Sequence, residues 1–153
     1  MMQFDQYASF RQFLFLWYTI SMKLPKEDVR KWIRHWEFES SDVFKTAEDL
    51  YKAKRYHHAL FFCHLGVEKK LKALYVSKKE SFPPPVHDLL YLLKKIGITT
   101  QKETLEDLAE INSFNIRARY DDYKNEFYIK ATRDYCHKWL EKAKEIINFL
   151  KTI

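Results

Sequence analysis

RYHHALFFCHLGVEKKLKALYVSKK, residues 55–79, is the stretch on which the fold turns. Leu60, Cys63, Val67, Leu71 and Leu74 recur in steps of three and four, so they fall on one face of a helix. Ala59, Phe62, Gly66 and Ala73 widen that face. Ala59, Gly66 and Ala73 are seven apart, small enough to let a neighbouring helix approach closely. The spacing predicts a helix from about Tyr56 to Lys79, ended by Pro83-Pro84-Pro85, which cannot continue it and which stiffen the onward link.

The flanking segments repeat the pattern. From Lys26 to about Lys54, Val29, Trp32, Ile33, Trp36, Val43, Phe44, Ala47, Leu50 and Tyr51 make another helical stripe, with Pro25 ahead of the first turn and Glu27 and Asp28 at the positive end of the dipole. Asp88 through Ile96 reads as a short third helix stopped by Gly97. Thr100 and Glu103 have capping-box spacing and open a fourth, carried by Leu105, Leu108, Ile111 and Ile116 toward Tyr120. After a polar break from Asp121 to Asn125, a fifth follows from about Lys130, with Tyr135, Cys136, Trp139, Leu140, Ala143, Ile146, Ile147 and Leu150 as its stripe. The expectation is an all-α, antiparallel up-and-down bundle of about five helices.

Composition agrees. The 153 residues suit one domain, and with 46% hydrophobic and 31% charged residues the chain is neither a disordered tail nor a membrane bundle. Only two Gly and four Pro occur, too few turn formers for an all-β fold. Two cysteines do not make a disulfide framework, and with no secretion signal they fit a reduced, cytoplasmic setting. The net charge of +6 permits an acidic partner such as RNA or a nucleotide without demanding one. Residues 1–21, MMQFDQYASFRQFLFLWYTIS, read unlike the rest. Their apolar run is far short of the roughly 20 residues that span a bilayer, and Met22 opens a natural-looking start. They are expected to be an N-terminal extension or a mis-called start, with 22–153 as the single domain; a helix added to the bundle or a dimer surface is the alternative.

No HExxH, CxxC, Walker loop or GxSxG appears, so the chemistries those motifs carry have no support. His57 and His64 lie two turns apart with Glu68 a turn beyond. That row holds a metal only with ligands from elsewhere; a solvated or hydrogen-bonded histidine face is the other reading, and no metal or cofactor is expected. Cys63 and Cys136 sit within apolar stripes as core residues. The lysines Lys69, Lys70, Lys72, Lys78 and Lys79 form either a basic stripe for RNA or a solvated face. The densest polar run is Asn115 to Tyr123. Arg117 and Arg119, two apart, do not share a helix face; one suits a carboxylate of the bundle and the other solvent or a phosphate, and the alternative is an Arg–Asp network that fixes the loop.

The stretch Arg55 to Phe62 continuing to Glu68-Lys69-Lys70-Leu71-Lys72-Ala73-Leu74, then the proline loop, His87-Asp88-Leu89 and Ala118-Arg119-Tyr120, resembles the HEPN domain (higher eukaryotes and prokaryotes nucleotide-binding) over about residues 26–152. The resemblance implies a helical bundle that commonly dimerises. It also implies a partnership with a small nucleotidyltransferase in a toxin–antitoxin-like pair, with affinity for nucleotide or RNA and no membrane role. Some such domains are metal-independent endoribonucleases with an Arg-x(4–6)-His motif, in which His acts on the ribose 2′-OH and Arg steadies the phosphate. Here no His follows Arg117 or Arg119 at that distance. Arg133 and His137 are four apart, one helical turn, and Arg30 and His35 fit the spacing far from the family's position. The candidate nucleotide or phosphate site is therefore His87, Arg117, Arg119, Tyr120 and Asp121. The catalytic candidates for an endoribonuclease are Arg119, Arg133 and His137, and a purely structural interaction module is the remaining alternative. His87 either fixes the start of helix three or joins Arg119 in a polar pocket.

Overall fold

A computed structural model describes residues 23–120 and 125–153. Among the described residues six helices follow one another: α1 (Lys26–Lys52), α2 (Tyr56–Lys79), α3 (Leu89–Ile96), α4 (Lys102–Arg117), α5 (Glu126–Lys130) and α6 (Arg133–Lys151). The chain is all-α, as its periodicity indicates. α2 is the axis of the bundle and touches each of the other five.

The α1–α2 pair is an antiparallel hairpin closed by the three residues between Lys52 and Tyr56. Its partners run in opposite directions: Trp36 beneath Lys72, Ser40 bonded to Gly66, and Lys23 paired with Ser81 beyond the end of α2. The small-residue stripe does what its spacing implies. Ala59, Gly66 and Ala73 are buried, the Ser40 hydroxyl donates to the Gly66 carbonyl at 2.7 Å, and a Cβ at Gly66 would stand 3.0 Å from the Phe44 ring. Leu60, Val67 and Leu71 from α2, Leu89 and Leu92 from α3, Leu108, Ile111 and Phe114 from α4, and Trp139, Leu140 and Ala143 from α6 close the core. At roughly 25 cal/mol per Å² of apolar surface removed from water, such side chains contribute about 1.5–3 kcal/mol each. Both cysteines are buried there as free thiols. Cys63 donates to the Trp139 carbonyl and Cys136 to the Tyr56 carbonyl, each at 3.6 Å.

Helix ends show where local chemistry set the boundary. The Asp88 carboxylate accepts the Tyr91 N–H at 3.0 Å and starts α3, and Gly97, at φ 87, ends it by returning its N–H to the Leu93 carbonyl. The capping box expected at Thr100 and Glu103 does not form: Gln101 is the N-cap of α4 and makes no side-chain cap bond. The last helix begins at Arg133 rather than at about Lys130. Thr132 caps α6 through the Tyr135 N–H, and the preceding residues make the separate turn α5, entered from Asn125 at φ 53. Phe127 drives that turn, since its ring is buried against Phe114. Residues 1–21, the expected extension, lie outside the described residues.

Candidate functional site

α2 presents one polar row to its neighbours, His57, Phe61, His64 and Glu68, at steps of four, three and four. Each meets a residue from another part of the fold. The Tyr128 ring of α5 meets His57 edge-on at 5.0 Å. The Arg119 guanidinium, at the end of α4, lies 5.9 Å from the Phe61 ring centre. The Ile111 carbonyl of α4 faces His64 Nδ1 at 3.3 Å, and His87 Nδ1, ahead of α3, lies 3.1 Å from Glu68 Oε2.

The inner end of this row is a buried charge cluster. Glu68 has little solvent contact and is ringed by one lysine and two histidines. Lys72 Nζ donates to Oε1 at 2.7 Å, His87 sits at Oε2, and His64 Nε2 lies 3.3 Å from Oε2 at ion-pair distance but off the line of a good hydrogen bond. Burial alone would push the Glu68 carboxyl up. The His64 ring, the Lys72 charge and the bonds from Lys72 and His87 outweigh it and hold the group down at about 2. Lys72 Nζ also lies 5.3 Å above the Trp36 ring, and Lys69 Nζ 5.4 Å from it while donating to Glu39 at 2.9 Å. Lys70 pairs with Glu37. With Lys70 only 4% exposed and Lys72 only 7%, the lysines of mid-α2 form neither a basic stripe nor a solvated face. They neutralise carboxylates of α1 and α2. Of the two readings of the histidine row, His64 takes the hydrogen-bonded one: it is fully buried with Nδ1 at the Ile111 carbonyl.

The outer end is the Asn115–Tyr120 corner. Arg117 turns back to Glu110, Nη1 to Oε1 3.4 Å, where Lys130 Nζ also arrives at 2.9 Å and the Tyr135 hydroxyl donates. Burial tends to raise the Glu110 carboxyl, but the Tyr135 bond and the Lys130 and Arg117 charges take it below the usual carboxylate range, while burial and Glu110 push the Tyr135 hydroxyl up. Arg119 goes the other way. Its Nε donates to the Asn115 carbonyl at 2.9 Å, and its guanidinium lies 5.9 and 5.5 Å from the Phe61 and Tyr120 ring centres. Tyr120 is 72% exposed. One bond and two ring faces thus fix the orientation of an exposed planar cation, a geometry suited to an oxyanion. Asp121 lies outside the described residues.

The candidate residues therefore divide. His87 serves Glu68 and Arg119 overlies Phe61, and those two α2 positions are two turns apart, about 10 Å along the axis. His87 does not join Arg119 in one pocket. Arg133 and His137 form a third place on the other side of Tyr56. The Tyr51 side chain, beside Arg133, pushes the Arg133 guanidinium pKa up, and the His137 ring centre lies 6.0 Å from that of Tyr51. Sequence reasoning misses the Glu68 cluster as a unit, although His64, Glu68 and Lys72 at successive i, i+4 steps on an otherwise apolar helix carry its signature. Among the described residues no group of three His, Cys, Asp or Glu side chains is placed to hold a metal ion, and no helix is long and apolar enough to cross a membrane.

A family model described as HEPN domain matches residues 31–153. No curated protein matches the chain. Among solved structures, TT1696 from Thermus thermophilus superposes with a TM-score of 0.70 at 19% identity, covering 78% of this chain and 96% of its own. ST0689, described as an archaeal HEPN homologue, superposes with a TM-score of 0.65 at 18% identity, covering 78% and 95%. At such identities the likeness is one of fold.

Proposed function

The chain belongs to the HEPN family, and from that premise we propose that it is a dimeric partner of a small nucleotidyltransferase in a toxin–antitoxin-like pair. In this reading it binds nucleotide or RNA phosphate at the Arg117–Tyr120 corner and works in the cytoplasm without catalysing a reaction of its own. The observation that supports the binding role is the division of the two arginines. Arg117 is spent on Glu110, whereas Arg119 is exposed at the end of α4 between two aromatic rings. With its Nε on the Asn115 carbonyl, the guanidinium offers a phosphate the N–H groups of its two terminal nitrogens, and Tyr120 gives a base a ring to stack on. The test is nucleotide binding by wild type and Arg119→Ala, with helical content and melting followed in parallel. Affinity should fall about tenfold or more, the worth of a charge-assisted hydrogen bond, with the fold intact. Unchanged affinity rejects the corner. Sedimentation of the purified chain, alone and with a candidate nucleotidyltransferase, tests the assembly.

A second reading, a metal-independent endoribonuclease, is favoured by the convergence of Arg133 and His137 on Tyr51. In a dimer, the histidine of such a pair would take the ribose 2′-OH proton and the arginine would steady the phosphate. RNA cleavage in EDTA that disappears in His137→Ala would establish it and displace the non-catalytic reading.

A further inference from the structure

Where the chain reverses between α1 and α2, a hollow of about 480 Å³ opens against α5, lined by Lys54, Arg55, Tyr56, His57, Tyr128 and Ala131. Its size is that of a site for a small organic ligand. Its chemistry is narrower. Two cations, two phenol rings, an imidazole and the Ala131 methyl line it, and none of the described residues lining it is acidic. Lys54 adopts the left-handed backbone, φ 60, that turns the chain there, so consecutive cations border the same space. The Tyr128 ring is 60% exposed even though it meets His57 edge-on, which leaves area for stacking. The first turn of α2 carries no acidic side chain.

We infer that this hollow is a binding site for a ribonucleotide unit, with Lys54 and Arg55 on its phosphate and Tyr128 stacked on its base. Cations along a backbone with an aromatic platform beside them are what single-stranded nucleic acid needs, and one nucleotide presents the same chemistry. The hollow shares no side chain with the Arg119 corner and depends on the nucleotide reading only for the class of ligand. The corner lies one helical turn further along α2, His57 to Phe61, about 6 Å. A strand passing from one to the other would therefore meet both.

The experiment is titration calorimetry of the full chain with AMP and, separately, with single-stranded hexa-adenylate RNA. The proteins are wild type, the Lys54→Gln/Arg55→Gln double variant, Tyr128→Ala and Arg119→Ala, each checked for helical content. The double variant should bind both probes at least about tenfold more weakly. Tyr128→Ala, at an exposed position, should weaken AMP and RNA while leaving the binding of inorganic pyrophosphate, which has no base to stack, unchanged. Binding of AMP identifies a free nucleotide as sufficient, and binding of RNA alone identifies the strand. If wild type binds neither probe, or the double variant and Tyr128→Ala both bind as wild type does, the site is refuted. Loss in Arg119→Ala alone would leave the corner standing without the hollow. Loss in the Lys54/Arg55 variant alone would leave the hollow standing without the corner.

Discussion

Two stretches of the same row on α2 carry charge, and they use it in opposite ways. Around Glu68 the polar groups are mostly buried and satisfy one another: Lys72 and His64, both buried, flank the carboxylate on its own helix, and the exposed His87 reaches it from the segment ahead of α3. Around Phe61 and His57, two turns earlier, the cations Arg119, Lys54 and Arg55 are exposed and none of the three is drawn into the core. The inner cluster holds helices in register, and the outer one presents positive charge to solvent. A buried carboxylate bonded to a buried lysine is destabilising to break and gives a ligand little access, whereas exposed cations contribute little to folding and are open to an anion.

The sharpest way to break this comparison is to remove the hub. Glu68→Leu deletes the common partner and leaves Lys72, nearly fully buried, without its counter-charge. The expected loss is about 3–5 kcal/mol, which for a domain of this size lowers Tm by roughly 10 °C or more. Thermal melting at neutral pH measures it, and a loss below about 1 kcal/mol would mean that the cluster is not structural. The pH dependence is the second test. Glu68 falls from its ordinary 4.5 to about 2 on folding, so the folded state favours the ionised form. Its stabilisation is complete above about pH 4.5, drains as pH falls, and is gone below about 2. The full effect is about 3 kcal/mol. Glu68→Gln should flatten the stability curve through that window relative to wild type, as read by denaturant midpoints at stepped pH.

A smaller effect is expected at Glu110, midway between the two regimes. Tyr135→Phe removes one half-buried hydroxyl from a carboxylate that keeps Lys130 and Arg117. The cost should be about 1 kcal/mol, with Phe114 and Trp139 still packed on the ring. A loss as large as that of Glu68→Leu would place Glu110 with the inner cluster.

The same contrast marks what the sequence could tell. Helical periodicity is a local property, so the stripe from Leu60 to Leu74, the close approach at Gly66 and the stop at Gly97 were all legible. Boundaries set by competition were not. Thr100 and Glu103 carry a capping signature, yet Gln101 takes the cap, and Phe127 pulls residues 126–130 into a turn of their own because Phe114 offers it a buried surface. The lysines of α2 misled for a related reason. Spacing says which residues share a face, not that Glu37 and Glu39 of α1 stand opposite Lys70 and Lys69. His87 shows the limit most plainly. Its place after the triple proline was readable, but its choice of Glu68 over Arg119 depends on how α3 and α4 pack across α2, which no local pattern encodes.

The smallest predicted change tests the outer regime on stability alone. Arg117 reaches Glu110 at 3.4 Å with both side chains partly in water, and Lys130 and Tyr135 hold the same carboxylate more closely. Removing Arg117 leaves Glu110 with two partners and strands no buried charge. Screening and the entropy of a long side chain offset much of the remaining attraction, so Arg117→Ala should cost no more than about 0.5 kcal/mol. Raising salt to about 1 M should erase that difference, because the Debye length then falls to about 3 Å. A double-mutant cycle with Glu110→Gln measures the coupling directly. A coupling above about 2 kcal/mol would show that the corner is built as Glu68 is, with Arg117 a structural member of the bundle. A coupling near zero leaves it a surface whose charge is available to a ligand.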